Sequence, residues 1–169
     1  YSRNELINII LEHGVKNILN QLGVDEKVAT LAPYITKNIE EATLLAENPN
    51  FLDMITILEE IATLWDRKDI SYPIYFADKA RFLLQDRDFF MNFLELLLLY
   101  FLDWVHYRTH QPIVYQFLRE SIQIHSDALQ VKEVNDLIEQ IQTILQQQSY
   151  NINLDLALDH LFYILEKKR

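Results

Sequence analysis

The stretch FFMNFLELLLLYFLDWV, residues 89–105, is the most apolar part of the chain and decides its fold class. Its longest run without a charged or amide side chain is only seven residues, 96–102. A membrane-spanning helix needs about 20 apolar residues, and Glu95 and Asp103 would lie in the hydrocarbon. A helix that is apolar on nearly all sides is typical of a globular core. The pattern therefore predicts a buried core helix and no membrane association.

The composition indicates a helical protein of one domain, or of one domain with a small appendage. The 169 residues are 50% hydrophobic and include only two glycines and four prolines. That is too few for an all-β sandwich or a Gly-rich phosphate loop. The chain contains no cysteine, which excludes disulfides, a thiolate nucleophile and Cys-based zinc sites and fits a reducing compartment.

The charge balance and the first residues bear on partners and location. Fifteen basic against 25 acidic side chains give a net charge of −10, so direct nucleic-acid binding is not expected. The N-terminus lacks a charged segment followed by an apolar one, and we expect a soluble cytoplasmic protein. Because the chain begins with Tyr1 and not with Met, we expect a piece of a longer protein or a processed product.

The first 50 residues carry signals for a cluster of short helices. Ser2 and Glu5 have the spacing of a capping box and precede an apolar-periodic segment. Glycine accepts the left-handed conformation that ends helices, and Asp and Thr are good N-caps. The expected boundaries are a stop at His13-Gly14, a second short helix over 15–22 that ends at Gly23, an N-cap at Asp25, an end near Pro33-Tyr34, an N-cap at Thr36 and a break at Asn48-Pro49-Asn50.

After this break the helices lengthen into a bundle of about five. Pro73 suits a first helical turn, Asp86 or Asp88 and Asn153 suit N-caps, and the terminal Lys167-Lys168-Arg169 suits a helix C-terminus. The expected helices cover residues 51–65, 73 to about 84, about 88–109, 113–129, 131–148 and 153–165. The fold class is therefore all-α, with short helices in residues 1–50 and the bundle in residues 51–169.

No arrangement of residues predicts a catalytic, cofactor or metal site. Asp103, His106 and His110 form D-x-x-H-x-x-x-H, which could hold zinc or iron, but the base of H-E-x-x-H and further ligands are missing. The pair Asp159-His160 has no matching partner motif. Three carboxylate pairs are better explained as caps and solvated faces than as acid/base pairs: Glu40-Glu41, Glu59-Glu60 and Asp86-Asp88.

Aromatic side chains crowd the middle third of the chain. Some of them could belong to a helix-docking surface, where aromatic residues are enriched, and the alternative is that one core contains them all. The candidate partner interface comprises Tyr72, Tyr75, Phe76, Phe82, Phe89 and Phe90.

The order of these features resembles the C-terminal part of the delta-prime subunits of bacterial DNA polymerase III clamp loaders. Residues 10–46 are similar to the end of that family's helical lid, with an HGV step at residues 13–15 and EATL at residues 41–44. Residues 94–108 resemble its collar helix, a Leu-rich run normally followed by Arg-Asp, of which only Asp103 is present. NINLDLALDHLFYIL, residues 151–165, is similar to its terminal signature, an Asn followed by a Leu-x-Leu-x-x-Leu helix.

The resemblance implies a non-catalytic structural role. Residues 1–50 would be the end of an AAA+-type lid, preceded in full-length members by an ATPase-like module. Residues 51–169 would be a collar domain that packs with the delta and tau/gamma subunits, so that the sliding clamp is loaded on DNA. The holoenzyme that contains this subunit is a DNA-directed DNA polymerase, a nucleotidyltransferase.

The lid of related ATP-hydrolysing subunits presents an Arg to the nucleotide phosphates, and that position here corresponds to Glu40 or Glu41. A carboxylate would repel a triphosphate by roughly several kcal/mol in a partly dry site, which agrees with a stator that does not hydrolyse ATP. The resemblance implies no cofactor. Two alternatives stay open: a helical protein–protein adaptor domain of another pathway and, more distantly, a metal-dependent helical enzyme that uses Asp103, His106 and His110.

Overall fold

The computed structural model describes residues 2–150 and 152–169, which leaves Tyr1 and the first residue of the terminal signature, Asn151, outside the described part. The described residues form helices, turns and connectors without a strand, which confirms the all-α prediction. The helices are α1 (Arg3–Gln21), α2 (Glu26–Ile35), α3 (Ile39–Glu47), α4 (Pro49–Thr63), α5 (Tyr72–Tyr75), α6 (Arg87–Arg108), α7 (Arg119–His125), α8 (Val131–Gln147) and α9 (Leu154–Lys168).

The chain divides into two compact units, of which the first ends at Thr56 and the second covers Ile57–Arg169. The predicted boundary at residues 50/51 falls six residues earlier, near the start of α4. In the first unit α1 packs on α2 and α3. In the second unit α6 packs on α7 and α8, while α9 packs on α5 and α8.

The capping box at the start of α1 is confirmed, but the predicted stop at His13-Gly14 is wrong. The Ser2 N–H donates to the Glu5 carboxylate at 2.8 Å, and the Glu5 N–H donates to the Ser2 hydroxyl at 3.2 Å. The helix continues through Gly14 because a glycine inside a helix costs only about 1 kcal/mol, while Val15 and Leu19 are buried beyond it. Gly23, with φ of 78°, provides the left-handed residue that follows the helix end.

The remaining caps of the first unit are partly as predicted. Asp25 caps α2 by accepting the Lys27 N–H at 2.8 Å. The N-cap of α3 is not Thr36 but Asn38, whose side chain accepts the Glu41 N–H at 3.1 Å. Thr36 instead ends α2 in an extended conformation, and its hydroxyl accepts the Asn38 N–H at 3.1 Å. The predicted break lies between α3 and α4, at Asn48.

Helix α6 is the core helix that residues 89–105 predict. Asp86 caps it by accepting the Phe89 N–H at 2.7 Å, and ten of its side chains are buried. By length and composition alone α6 could cross a membrane, but 61% of its most apolar window is buried inside the fold. Most of this window is therefore covered within the fold, as in the core helix of a globular protein.

Two predicted helices are much shorter than expected. The segment from Pro73 to Leu84 consists of the single turn α5, further turns and a 3-10 turn (Arg81–Leu84). The segment 113–129 begins extended, passes through a 3-10 turn (Gln116–Leu118) and is helical only in α7. Tertiary bonds hold these segments: the Tyr72 hydroxyl donates to the Ile61 carbonyl at 2.6 Å, and the amides of Val114 and Tyr115 donate to Asp103. Among the described residues after the break at Asn48, the long helices are therefore α4, α6, α8 and α9, four instead of about five.

The end of α9 is anchored by Arg169, which does more than complement the helix dipole. Its side chain is only 1% exposed and donates to the carbonyls of Leu64 and Trp65, both at 3.0 Å. The guanidinium also lies 3.8 Å from the centroid of the Tyr72 ring. These contacts attach the connector after α4 to the last helix.

We expect Leu161→Ala to lower the free energy of unfolding by about 2–5 kcal/mol, because Leu161 is completely buried on α9. The matched control is Leu156→Ala on the same helix, where the side chain is 65% exposed and the expected change is within about 0.5 kcal/mol. Urea denaturation measures both. Equal losses for the two variants would contradict the placement of α9.

Candidate functional site

The six aromatic residues predicted as a partner interface do not form one exposed surface. Four of them, Tyr72, Phe76, Phe89 and Phe90, are buried in the second unit. The Phe76 ring, for example, stacks on Phe162 with the ring centroids 4.7 Å apart. The predicted interface is therefore corrected for these four, because the core of the chain itself covers their rings.

The other two, Tyr75 and Phe82, are half-buried and engaged locally. The Tyr75 hydroxyl donates to the Glu60 carboxylate and accepts a hydrogen bond from Lys79 at 2.8 Å. The ammonium of Lys79 also lies 4.2 Å from the centroid of the Tyr75 ring. The Phe82 ring lies 6.5 Å from Phe89, centroid to centroid. Neither residue points to an unsatisfied docking surface.

Asp103, His106 and His110 are not assembled as metal ligands. Asp103 is fully buried and directed at the backbone after α6, whereas His106 is half-buried. His110 lies beyond the end of α6 with φ of 60°, so it does not share the helix face on which the spacing argument rests. Across the described ranges 2–150 and 152–169, no group of three His, Asp or Glu side chains could hold a metal ion.

Asp103 instead organises the segment that follows α6. Its Oδ1 accepts the Val114 N–H at 2.9 Å, and its Oδ2 accepts the Tyr115 N–H at 2.8 Å. Burial raises the pKa of the Asp103 carboxyl to about 6, although the two backbone N–H groups and His106 act in the opposite direction. Burial therefore costs the ionised form more than its hydrogen bonds return.

Other carboxylates and the Asp159-His160 pair have separate places. Glu60 belongs to the Tyr75–Lys79 cluster, and Asp86 caps α6. His160 is exposed on α9, where it lines a groove described below. The paired carboxylates thus serve local structure instead of converging on one point.

An exposed apolar stripe on α1 was missed by the sequence analysis. It comprises Leu6, Ile7, Ile10, Leu11 and Ile18, all exposed, and we call it the α1 outer face. By helical spacing Leu11 and Ile18 adjoin the buried Val15, and Ile7, Ile10 and Leu6 continue the apolar surface away from it. Helix α1 thus has an apolar face wider than the part that the chain covers. A helical-wheel count of how far the apolar residues extend could have found this.

A groove between α8 and α9 was missed as well. It encloses about 510 Å³, and its lining includes Ile144 and Ile164, both buried, at the base. We call it the α8–α9 groove. The α9 side carries His160, Tyr163 and Lys167, which recur at helical spacing and are all exposed. The helical spacing of these three residues is visible in the sequence and could have indicated a polar and aromatic face on α9.

The contribution of Asp103 to the stability of the protein should fall as the pH rises from about 4 to about 6. The Asp103 pKa is raised from 3.8 to about 6 in the folded chain, so the folded state binds more protons than the unfolded state in this window. Asp103 therefore favours folding below pH about 4, and this contribution, on the order of 3 kcal/mol, is lost by pH about 7.

The measurement is urea denaturation of the wild type and of Asp103→Asn between pH 4 and pH 7. The difference between their free energies of unfolding isolates Asp103 from the other titrating groups. We expect the wild type to lose stability relative to the variant as the pH rises. A difference that stays constant with pH would contradict the burial of an ionisable carboxyl at this site.

The chain was compared with protein families, curated proteins and solved structures. No protein-family model, no curated protein and no solved structure matches the chain.

Proposed function

We propose that this chain is a non-catalytic assembly module of a bacterial clamp loader. In this proposal it packs through its helices with the delta and tau/gamma subunits so that the sliding clamp is loaded on DNA. The α1 outer face is the observation that carries the assembly role. The resemblance to delta-prime subunits supplies the identity of the assembly and its cytoplasmic location.

The α1 outer face supports docking because it exposes apolar area that a soluble protein normally covers. Ile10 alone is 68% exposed, and its neighbours Leu6 and Ile7 extend the same side of the helix. Full burial of one such side chain contributes about 1.5–3 kcal/mol.

The placement of Glu40 and Glu41 supports a stator role. Both lie in the first turn of α3, where the resemblance expects a phosphate-binding Arg in ATP-hydrolysing subunits. Glu40 is exposed. The Glu41 carboxylate accepts a hydrogen bond from the Thr36 hydroxyl, with 2.8 Å between the two oxygens. Carboxylates at this helix start would repel a triphosphate, so the proposal assigns no ATP hydrolysis to this chain.

The collar pattern also supports the proposal at Asp103. The family's Leu-rich helix is followed by an Asp that this chain has kept, and that residue is the buried acceptor for two backbone amides. In a collar domain this Asp would have a structural role, and Asp103 has such a role here because it holds the backbone after α6. A helical adaptor of another pathway shares the α1 outer face and is the alternative that the following experiment separates.

The decisive experiment mixes this chain with the delta and tau/gamma subunits of the same source and measures mass by light scattering during size-exclusion chromatography. We expect a defined hetero-oligomer at micromolar concentration. If the chain elutes as a separate species although its cognate partners are present, the clamp-loader assignment is overturned and the adaptor alternative is favoured.

A matched pair of variants then tests the α1 outer face. Ile10→Glu should weaken assembly by at least about tenfold, because it places a carboxylate in an apolar contact. Leu44→Glu is the control, since Leu44 is also 68% exposed but lies on α3, outside the face. Both variants should unfold at the wild-type temperature. Equal weakening by the two would exclude α1 as the contact.

A further inference from the structure

The α8–α9 groove has a shape suited to a segment of another protein. It lies between two helices of 17 and 15 residues that pack directly on each other. Its volume of about 510 Å³ is enough for a few large side chains. Because it runs between helices and is open to solvent, an elongated occupant with apolar side chains on one side fits it better than a compact molecule.

The two sides of the groove differ in chemistry. Gln140 and Gln147 on α8 present amide groups without a partner in the described part of the chain. The α9 side presents Tyr163, which is 53% exposed, and Lys167, whose ammonium lies 5.2 Å from the centroid of the Tyr163 ring. An exposed ring beside a cation is typical of residues that contribute strongly to protein interfaces.

The cations of this groove are not neutralised within the described chain. Lys167 and Lys168 ion-pair with no carboxylate there, even though acidic side chains outnumber basic ones by 25 to 15. Glu133, which also lines the groove, accepts its own N-cap amide, the Gln130 N–H, at 3.3 Å and keeps its negative charge. The lining therefore carries two lysines against one carboxylate, an excess of one positive charge on an acidic protein, and this excess complements negative charge.

We propose that the α8–α9 groove is a docking site for an acidic amphipathic helix of a partner protein. The apolar side chains of that helix pack on the exposed ring of Tyr163, above Ile144 and Ile164, and its carboxylates face Lys167 and Lys168. The groove belongs to the second unit and the α1 outer face to the first, and the groove adds a second class of partner to the proposed assembly.

The test measures the fluorescence anisotropy of labelled amphipathic peptides of about 15 residues on addition of this chain alone. One peptide carries leucines at i, i+3, i+4 and i+7 with glutamates on both borders, and a second peptide carries lysines in place of the glutamates. We expect the acidic peptide to bind at least about tenfold more tightly, with an affinity that falls as salt rises. Equal binding of the two peptides, or none by the acidic one, overturns the proposal.

Variants locate the peptide on the groove. The double variant Lys167→Glu/Lys168→Glu should weaken the acidic peptide at least about tenfold and improve the lysine peptide. The variant should remain folded, with an unfolding temperature slightly lowered by two carboxylates in the last turn of α9. Lys132→Glu is the control, because Lys132 is an exposed cation on α8 that does not line the groove. If Lys132→Glu weakens the acidic peptide as much as the double variant does, the peptide is held by general charge attraction and not by the groove, and the proposal is overturned.

Nucleic acid is the alternative ligand for Lys167 and Lys168, because its phosphates also carry negative charge. A labelled oligothymidylate of about 15 nucleotides, titrated under the same conditions, should bind more weakly than the acidic peptide. Tighter binding of the oligonucleotide, lost in the double lysine variant, would assign the groove to phosphate and overturn the proposal. None of these titrations requires clamp-loader subunits, so their outcome is separate from that of the reconstitution.

Discussion

The second unit depends on one buried carboxylate among the otherwise hydrophobic buried side chains of α6. Asp103 lies on α6 among ten buried side chains, and its oxygens accept the amides of Val114 and Tyr115. These bonds turn the chain back along α6 and bury Tyr115, whose hydroxyl donates to the Leu96 carbonyl at 2.5 Å. The raised pKa shows that this arrangement costs stability at neutral pH. The carboxylate fixes the conformation at Val114 and Tyr115, in a segment that the sequence pattern predicts to be helical.

Once α6 is covered, the functional chemistry of the chain lies on outer surfaces. The aromatic side chains that crowd the middle of the sequence are used in the core, where Trp65, Phe101 and Trp104 contact one another edge to face. Exposed apolar side chains instead lie on the α1 outer face, and two lysines without a carboxylate partner in the described residues lie at the α8–α9 groove. These two surfaces are the observations that support the proposed assembly role.

The sequence predicts the features that depend on neighbouring residues. The capping box at Ser2 and the N-caps at Asp25, Asp86 and Asn153 involve bonds two or three residues away, and all are present. The core position of α6 also follows, because an apolar run of that length must be covered. The errors lie where distant groups decide: the segment 113–129 is drawn out of a helix by Asp103, and α1 runs through Gly14 because burial continues beyond it.

The candidate surfaces were harder to predict for a related reason. Apolar periodicity shows that Ile10 lies on a helix face but not whether another helix of the chain covers that face. The same ambiguity made Tyr72 and Phe76 candidates for an interface although the core contains them. For the α8–α9 groove, the individual lysines are visible in the sequence, but their lack of carboxylate partners depends on how α8 and α9 pack.

The most direct test of the Asp103 constraint is amide hydrogen exchange at Val114 and Tyr115, measured by NMR in the wild type and in Asp103→Asn, with α6 amides as the internal reference. These two amides lie outside any helix, so only the buried carboxylate protects them. The account predicts that both exchange far more slowly than the exposed connector 66–69. It also predicts that the variant, whose side chain keeps one accepting oxygen, loses protection at one or both of these amides while α6 keeps its own. Fast exchange in the wild type, or unchanged protection in the variant, would contradict it.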